Sequence, residues 1–326
     1  MVAVACKYVN KTCFDTGSFA TPVNVAVVGA GHFGAFHAKH YASNSLANLV
    51  AIVDPDPQAE LVAKKYGVKW IPHADAMPAN VEAVSIAIPS KSHAMLACEL
   101  MRRGLHVLLE KPMAHSMHDA QTLVEVAQQH RRVLHIGHLE RFNPVVRYVA
   151  SQLTQEIQHL DFVRTGTLTA RAAGSDVVLD LMIHDIDLAL FLMRDTPQIV
   201  ELIRSESSSV LQVCACLTFR NGATACLSAN RGAMALSRHL SLTVGESIYQ
   251  LDLTASSLGR VDADGRGVQM KAQVFSGDAL GYEINTFLSA VKGQPHEGVT
   301  GLHARDSLKI ALKILALLNC ETHTLS

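Results

Sequence analysis

The feature that most constrains this chain is a run of small and β-branched apolar residues, Val23-Asn-Val-Ala-Val-Val, that ends on Gly29-Ala-Gly31-His-Phe-Gly34. A strand that stops on a glycine turn and opens directly into a helix is the first half of a βαβ unit, which commits the next strand to a parallel sheet. The pattern then repeats. Helices are expected over Phe33–Ser43, Pro57–Tyr66 (closed by Gly67), Ser92–Arg103 (closed by Gly104) and Ser116–His130. Between them lie strands at Leu49–Val53, Ala83–Ile88, His106–Leu109 and Val133–Ile136. Apolar strands alternating with helices of about ten to fifteen residues predict a doubly wound sheet covered on both faces.

Near Gly137 the rhythm changes. A helix over Pro144–Leu153, a strand over Leu160–Leu168 and a long apolar helix over Val177–Met193 precede strand-like runs at Ile199–Glu201, Gln212–Phe219, Thr224–Ala229, Leu240–Val244 and Ile248–Leu253. Asn221-Gly222 and Asp264-Gly265 separate several of these runs, and Asn-Gly between two β-rich segments is a hairpin signal. Helices over Tyr282–Val291 and His303–Leu318 close the chain. The expectation is an α/β protein: an extension over residues 1–22, a Rossmann domain over 23–140, and an α+β domain with an open, mostly antiparallel sheet over 141–326. A length of 326 residues supports two such cores.

Composition narrows the class. No stretch approaches the ~20 apolar residues of a membrane span, and the start of the chain lacks a secretory pattern. A net charge of -1 gives no support to a nucleic-acid binder. The seven cysteines form no C-x-x-C pair and no zinc-ligand spacing, so no metal is expected. They read as small buried hydrophobes of a cytoplasmic protein, with Cys214 and Cys216 on one side of a strand.

In the glycine turn, Gly29 permits the tight bend, Gly31 the close approach of a pyrophosphate and Gly34 close helix–strand packing. With Ala30, His32 and Phe33 they offer the free N–H groups of a helix start to phosphate oxygens. Asp54 ends the second strand, where a carboxylate meets ribose hydroxyls and repels a 2′-phosphate. Pro55-Asp56-Pro57 supplies no cation, so NAD is expected over NADP. Pro89, Ser90 and Glu110, at the ends of later strands, belong to the same crevice edge.

Two further constellations carry chemistry. Glu110-Lys111-Pro112 closes the fourth strand and would bring the lysine near the nicotinamide. Asp180-Leu-Met-Ile-His184-Asp-Ile-Asp187 lies in the long apolar helix, where Asp180 and His184, four apart, share a face and can touch. Asp185 and Asp187 are read as ordinary packing or capping residues.

Taken together, the glycine turn, Asp54, the E-K-P tripeptide and the D-x-x-x-H helix resemble the glucose–fructose oxidoreductase / inositol dehydrogenase (Gfo/Idh/MocA) family over nearly everything from Val23 onward. The resemblance implies a sugar or cyclitol oxidoreductase, a homodimer or homotetramer built on the open sheet, and Lys111, Asp180 and His184 as the catalytic group. Oxidation of a carbinol needs a base for the hydroxyl proton; imidazole suits that task, and a lysine can share the proton or meet the developing alkoxide. Sequence leaves open which of Lys111 and His184 is the base. Ile136-Gly-His-Leu-Glu-Arg-Phe-Asn-Pro144 is similar to a signature of the branch that oxidises C3 of UDP-linked amino sugars for lipopolysaccharide synthesis, with an aminotransferase downstream. That branch would bring Arg141 and Asn143 to the substrate, against the plainer reading of a Glu140–Arg141 ion pair at the domain joint. Arg164 and Arg171 are candidates for a diphosphate. An inositol or free-sugar dehydrogenase is the alternative enzyme, and a dinucleotide sensor without turnover the alternative of another class.

Overall fold

The computed structural model describes residues 21–167, 176–205, 211–261, 267–270 and 275–324. The first sheet has six strands, all parallel: β1 (Val23–Val28), β2 (Ala47–Val53), β3 (Lys69–Ile71), β4 (Ala83–Ile86), β5 (His106–Leu109) and β6 (Leu134–Ile136), in the order β3-β2-β1-β4-β5-β6. Helices α1 (His32–Ala42), α2 (Ala59–Tyr66), α3 (His93–Arg102) and α4 (Met117–Gln129) connect them. The order reverses between β1 and β4, which opens a crevice at their carboxyl ends. β3 was not expected from the sequence. Lys69-Trp-Ile shows little apolar periodicity, and its strand character comes from lying against the edge of β2.

A short 3-10 turn (Leu139–Phe142) and α5 (Pro144–Gln152) lead into the second sheet. Its strands are β7 (Ile157–Thr165), β8 (Ile199–Ser205), β9 (Gln212–Thr218), β10 (Thr224–Asn230), β11 (Ser237–Val244), β12 (Ser247–Asp252), β13 (Ser257–Val261) and β14 (Gly267–Met270). They run in the order β14-β13-β12-β11-β7-β10-β9-β8, antiparallel except for the β7–β10 pair. β13 and β14 also escaped sequence reading, since their pairing is decided by neighbours rather than by alternation. The expected turn at Asp264-Gly265 and the expected extension before Thr21 lie outside the described residues.

Between β7 and β8 runs a π-helical turn (Val178–Met182) that continues into α6 (Ile183–Met193); α7 (Ala279–Val291) and α8 (Gly301–Thr324) come after the second sheet. Alternation along β9 and β10 buries Val213, Ala215, Leu217, Ala225 and Leu227 toward the helices. Cys214, Cys216 and Cys226 therefore occupy the opposite, half-exposed face, with the Cys226 and Cys216 sulfurs 3.7 Å apart. The expectation that these cysteines are buried fails because the pleat, set by Val, Ala and Leu at alternate positions, turns them outward.

The two sheets are not independent. α7 buries Ile284, Phe287 and Leu288 among Val25, Val27 and Tyr41 of the first sheet's layer. The chain before α8 pairs with the edge of β6, where Ile136 N–H donates to the Val299 carbonyl (2.8 Å). This return leads into α8, which packs against both β6 and α6.

Candidate active site

The glycine turn has the geometry that a dinucleotide requires. Gly29 has φ +94, and a Cβ there would lie 2.5 Å from the Ala87 carbonyl oxygen. A Cβ on Gly34 would lie 1.7 Å from the Gly29 oxygen, so this position packs the helix onto the turn. At Gly31 a Cβ would meet nothing within 4 Å: the constraint is the open space above it, where a pyrophosphate fits. Gly31 caps α1 without any side-chain hydrogen bond, which leaves the first-turn N–H groups available to an anion. Asp54 accepts from Ala30 N–H (2.6 Å) and Asp56 N–H (2.9 Å), and a carboxylate with these two bonds keeps lone pairs for ribose hydroxyls. These residues fit NAD. His32 and Phe33 stand exposed at the mouth of the turn, with Phe33 and Phe36 edge-on to His32. Pro89 is exposed and Ser90 half-buried, its hydroxyl 2.8 Å from His115 Nε2.

Beneath the turn, Glu110 is half-buried. Its carboxylate lies 3.0 Å from His37 Nε2, His37 Nδ1 lies 3.1 Å from Ser85 Oγ, and Ser85 Oγ lies 2.8 Å from Tyr41 OH. Burial opposes ionisation of Glu110, but His37 and Lys111 hold its carboxyl below the ordinary value. This chain of contacts ties the E-K-P turn to α1. The Lys111–Pro112 peptide bond is cis.

Lys111 reaches across the crevice to the second domain. Its Nζ donates to the Asp180 carbonyl (2.8 Å) and to Asp180 Oδ1 (3.0 Å). Arg231, at the end of β10, donates to Asp180 Oδ2 (2.7 Å). Asp180 therefore bonds two cations, with no hydrogen bond to His184, where the sequence spacing allowed the two to touch; the π-turn that carries Asp180 shifts it off the i, i+4 register of a regular helix. Burial works against the charged form of Asp180, yet Lys111 and Arg231 hold its carboxyl below the usual range. His184 comes next, at the start of α6. Burial pushes its imidazole well below the ordinary value, and Lys111, Arg164, His138 and Arg238 push in the same direction, so the ring is neutral.

Other expected site residues are engaged elsewhere. Arg141 grips Asp187 with two donors (2.6 and 2.7 Å), and Ser307 Oγ donates to the same carboxylate (3.0 Å). Asn143 caps α5 at Val145 N–H and donates to the Leu253 carbonyl (2.9 Å). Arg164 is saturated by Asp185 (2.7 to 3.0 Å) and by Glu140 (2.9 Å), with Arg238 adding a second donor to Glu140 (3.1 Å). The Glu140–Arg141 pair does not form, Arg164 has no free fork for a diphosphate, and Asp185 and Asp187 are ion-pair acceptors rather than simple packing residues. Each partner belongs to a different element, so spacing along the chain gave no indication of these contacts. Arg171 lies outside the described residues. Arg231, His37 and His138 were missed. His37 and Tyr41 share a face of α1 at i, i+4, a readable signal, whereas Asn230-Arg-Gly looks like any turn.

Among the described residues no helix is long and apolar enough to cross a membrane. Residues 23–138 match the family model described as an oxidoreductase family with an NAD-binding Rossmann fold (GFO_IDH_MocA), and residues 146–244 match the GFO/IDH/MocA C-terminal domain. The chain is 30% identical to UDP-N-acetylglucosamine 3-dehydrogenase of Acidithiobacillus ferrooxidans, over 90% of this chain and 96% of that one. A solved structure of that enzyme superposes with a TM-score of 0.85 at 29% identity, covering 91% and 98% of the two chains. An inositol 2-dehydrogenase of Rhizobium meliloti is 30% identical over 54% of this chain and 56% of its own length. Levoglucosan dehydrogenase in complex with NADH shares the fold, with a TM-score of 0.80 at 17% identity.

Proposed function

This chain belongs to the GFO/IDH/MocA family of NAD-binding oxidoreductases, and on that premise we propose that it oxidises the C3 hydroxyl of UDP-N-acetylglucosamine, or a close UDP-linked amino sugar, to a 3-keto sugar nucleotide. The observation that carries the reading is the Lys111–Asp180 contact. It joins the carboxyl end of β5, beside the cofactor crevice, to the helix that bears His184, so a sugar hydroxyl between them meets an amine and an imidazole at once.

Bound NAD supplies the ring that accepts a hydride from the carbinol carbon. The protein's own part is proton handling and orientation. His184, kept neutral by burial and by the surrounding cations, takes the hydroxyl proton as the carbonyl forms. Lys111, held by two bonds to Asp180, donates to the oxygen on which negative charge grows. Arg231 fixes the far oxygen of Asp180 and with it the direction of Lys111. The match along nearly the whole of a UDP-N-acetylglucosamine 3-dehydrogenase, against half of an inositol dehydrogenase, supports the nucleotide sugar over a free cyclitol. A role in lipopolysaccharide 3-amino sugar synthesis, in the cytoplasm, comes with that substrate as part of the proposal. The half-exposed outer face of the second sheet suits a second copy of the chain.

The test is a coupled incubation with UDP-N-acetylglucosamine, NAD, glutamate and a 3-keto sugar aminotransferase. A 3-amino sugar nucleotide detected by mass supports the reading. Turnover of inositol but of no UDP-sugar would transfer the assignment to the cyclitol dehydrogenases, and NAD binding without turnover of any polyol would indicate a sensor.

A further inference from the structure

Behind His184 lies a second imidazole that this chemistry does not use. His138, just after β6, is 1% exposed, and neither of its ring nitrogens has a hydrogen-bond partner. His184 Nδ1 is likewise buried and unpartnered; the exposure that residue retains lies away from this atom. The two rings are edge-on, 6.3 Å between centroids at an interplanar angle of 81°. At that separation two ring nitrogens come no closer than roughly 4 Å, which is beyond a direct hydrogen bond and calls for a bridging molecule if the two are to exchange a proton. His138 Nδ1 is 3.9 Å from Asp187 Oδ2. Buried nitrogens left without a partner are costly, and three of them belong to this one pair of rings, in a polar setting where a water finds the partners it needs.

We propose, building on the dehydrogenase reading, that His138 is a positioning and relay residue: one water bridges it to His184, and through that water it receives the proton His184 takes from the substrate hydroxyl, holding it beside Asp187. The step balances. His184 accepts the hydroxyl proton at its outer nitrogen and releases the Nδ1 proton to the water. The water passes a proton to His138, which becomes an imidazolium against a carboxylate. The hydride pair leaves separately, to NAD.

Charge favours that direction. His138 is itself held below the ordinary imidazole value, burial being the largest cause with Arg141 and Lys111 adding to it, but Asp187 and Glu110 pull the other way. Around His184, burial, Lys111, Arg164, His138 and Arg238 all act against the protonated ring. Arg141 and Ser307 fix Asp187 in place, so the acceptor end of the path is rigid.

The experiment compares the wild-type enzyme with His138→Ala and His138→Gln. In His138→Ala, kcat should fall by roughly tenfold or more at unchanged NAD affinity. Added imidazole should restore kcat, with efficiency that tracks the basicity of substituted imidazoles. His138→Gln, which can hold the water but cannot take its proton, should keep the melting temperature without recovering kcat. An unchanged kcat and pH profile in His138→Ala, or a loss that imidazole does not restore, would overturn the relay. A substrate-free measurement separates this from the function itself: with 15N-labelled histidine, the His184 ring nitrogens should shift when His138 is replaced. No shift would refute the bridge even if UDP-sugar turnover is found, while a shift without turnover of any UDP-sugar would overturn the substrate assignment and leave the bridge standing.

Discussion

At the scale of single residues, charge neighbours decide behaviour more than residue type does. His184 and Lys111 are ordinary side chains whose proposed roles rest on sharing the crevice with Asp180, Arg164 and Arg238. Replacing either His184 or Lys111 by Ala should lower turnover by roughly a hundredfold or more while sparing NAD affinity, measured by steady-state kinetics beside NAD titration. Loss of NAD binding in His184→Ala would show the assigned roles to be wrong. Glu283 on α7 gives a second residue-scale test. It is 2% exposed, its Oε1 has no partner, and burial together with Glu110 and Asp187 raises its carboxyl well above the ordinary range. A carboxyl whose folded value is raised contributes its stability fully below the unfolded value, and loses it as pH rises toward the folded one. Glu283→Gln should therefore melt higher than the wild type at neutral and alkaline pH, with the gap closing in acid. Parallel melting curves for the two proteins across pH would refute this.

At the scale of elements, the glycine turn and the π-turn show how local backbone makes the site. Gly31 and Gly34 sit three residues apart yet face opposite demands. Gly34→Ala should destabilise the fold by several kcal/mol, since its Cβ would overlap the Gly29 oxygen. Gly31→Ala should change stability by no more than about 0.5 kcal/mol, because nothing lies near its Cβ, but should weaken NAD binding by occupying the pyrophosphate's space. Thermal melting and NAD titration of the two variants would separate the effects; normal NAD affinity in a folded Gly31→Ala would contradict the cradle. The glycine spacing was legible because each glycine answers a steric rule confined to a few residues. The π-turn was not, since Val178–Met182 reads as helix and only the pull of Lys111 and Arg231 on Asp180 gives the widened turn its purpose.

At the scale of the whole molecule, both sheets share one continuous hydrophobic cluster, reaching from Val84 and Leu109 of the first to Leu160 and Leu227 of the second. A buried ionic group at the joint links β7 (Arg164), α6 (Asp185) and the turn after β6 (Glu140), with the exposed Arg238 of β11 at its rim. Removing Arg164 leaves the buried Asp185 carboxylate without a cation and Glu140 with Arg238 as its remaining one, so Arg164→Ala should destabilise the protein by about 3–5 kcal/mol in denaturant unfolding. A change below about 1 kcal/mol would mean that water enters the joint freely. The sequence by itself determined the alternation of strands and helices and the glycine turn with its acid, and its motifs nominated Lys111, Asp180 and His184 as the proposed catalytic group, because each is written in residues close together or in motifs read whole. Only the tertiary structure decided the partners of Asp180, Arg141, Asn143 and Arg164, the outward face of Cys214, Cys216 and Cys226, and the meeting of His138 with His184. Those contacts join residues whose positions along the chain say nothing about one another. They are fixed by how two sheets and the helices between them pack, and by the rule that a buried charge must find an opposite one.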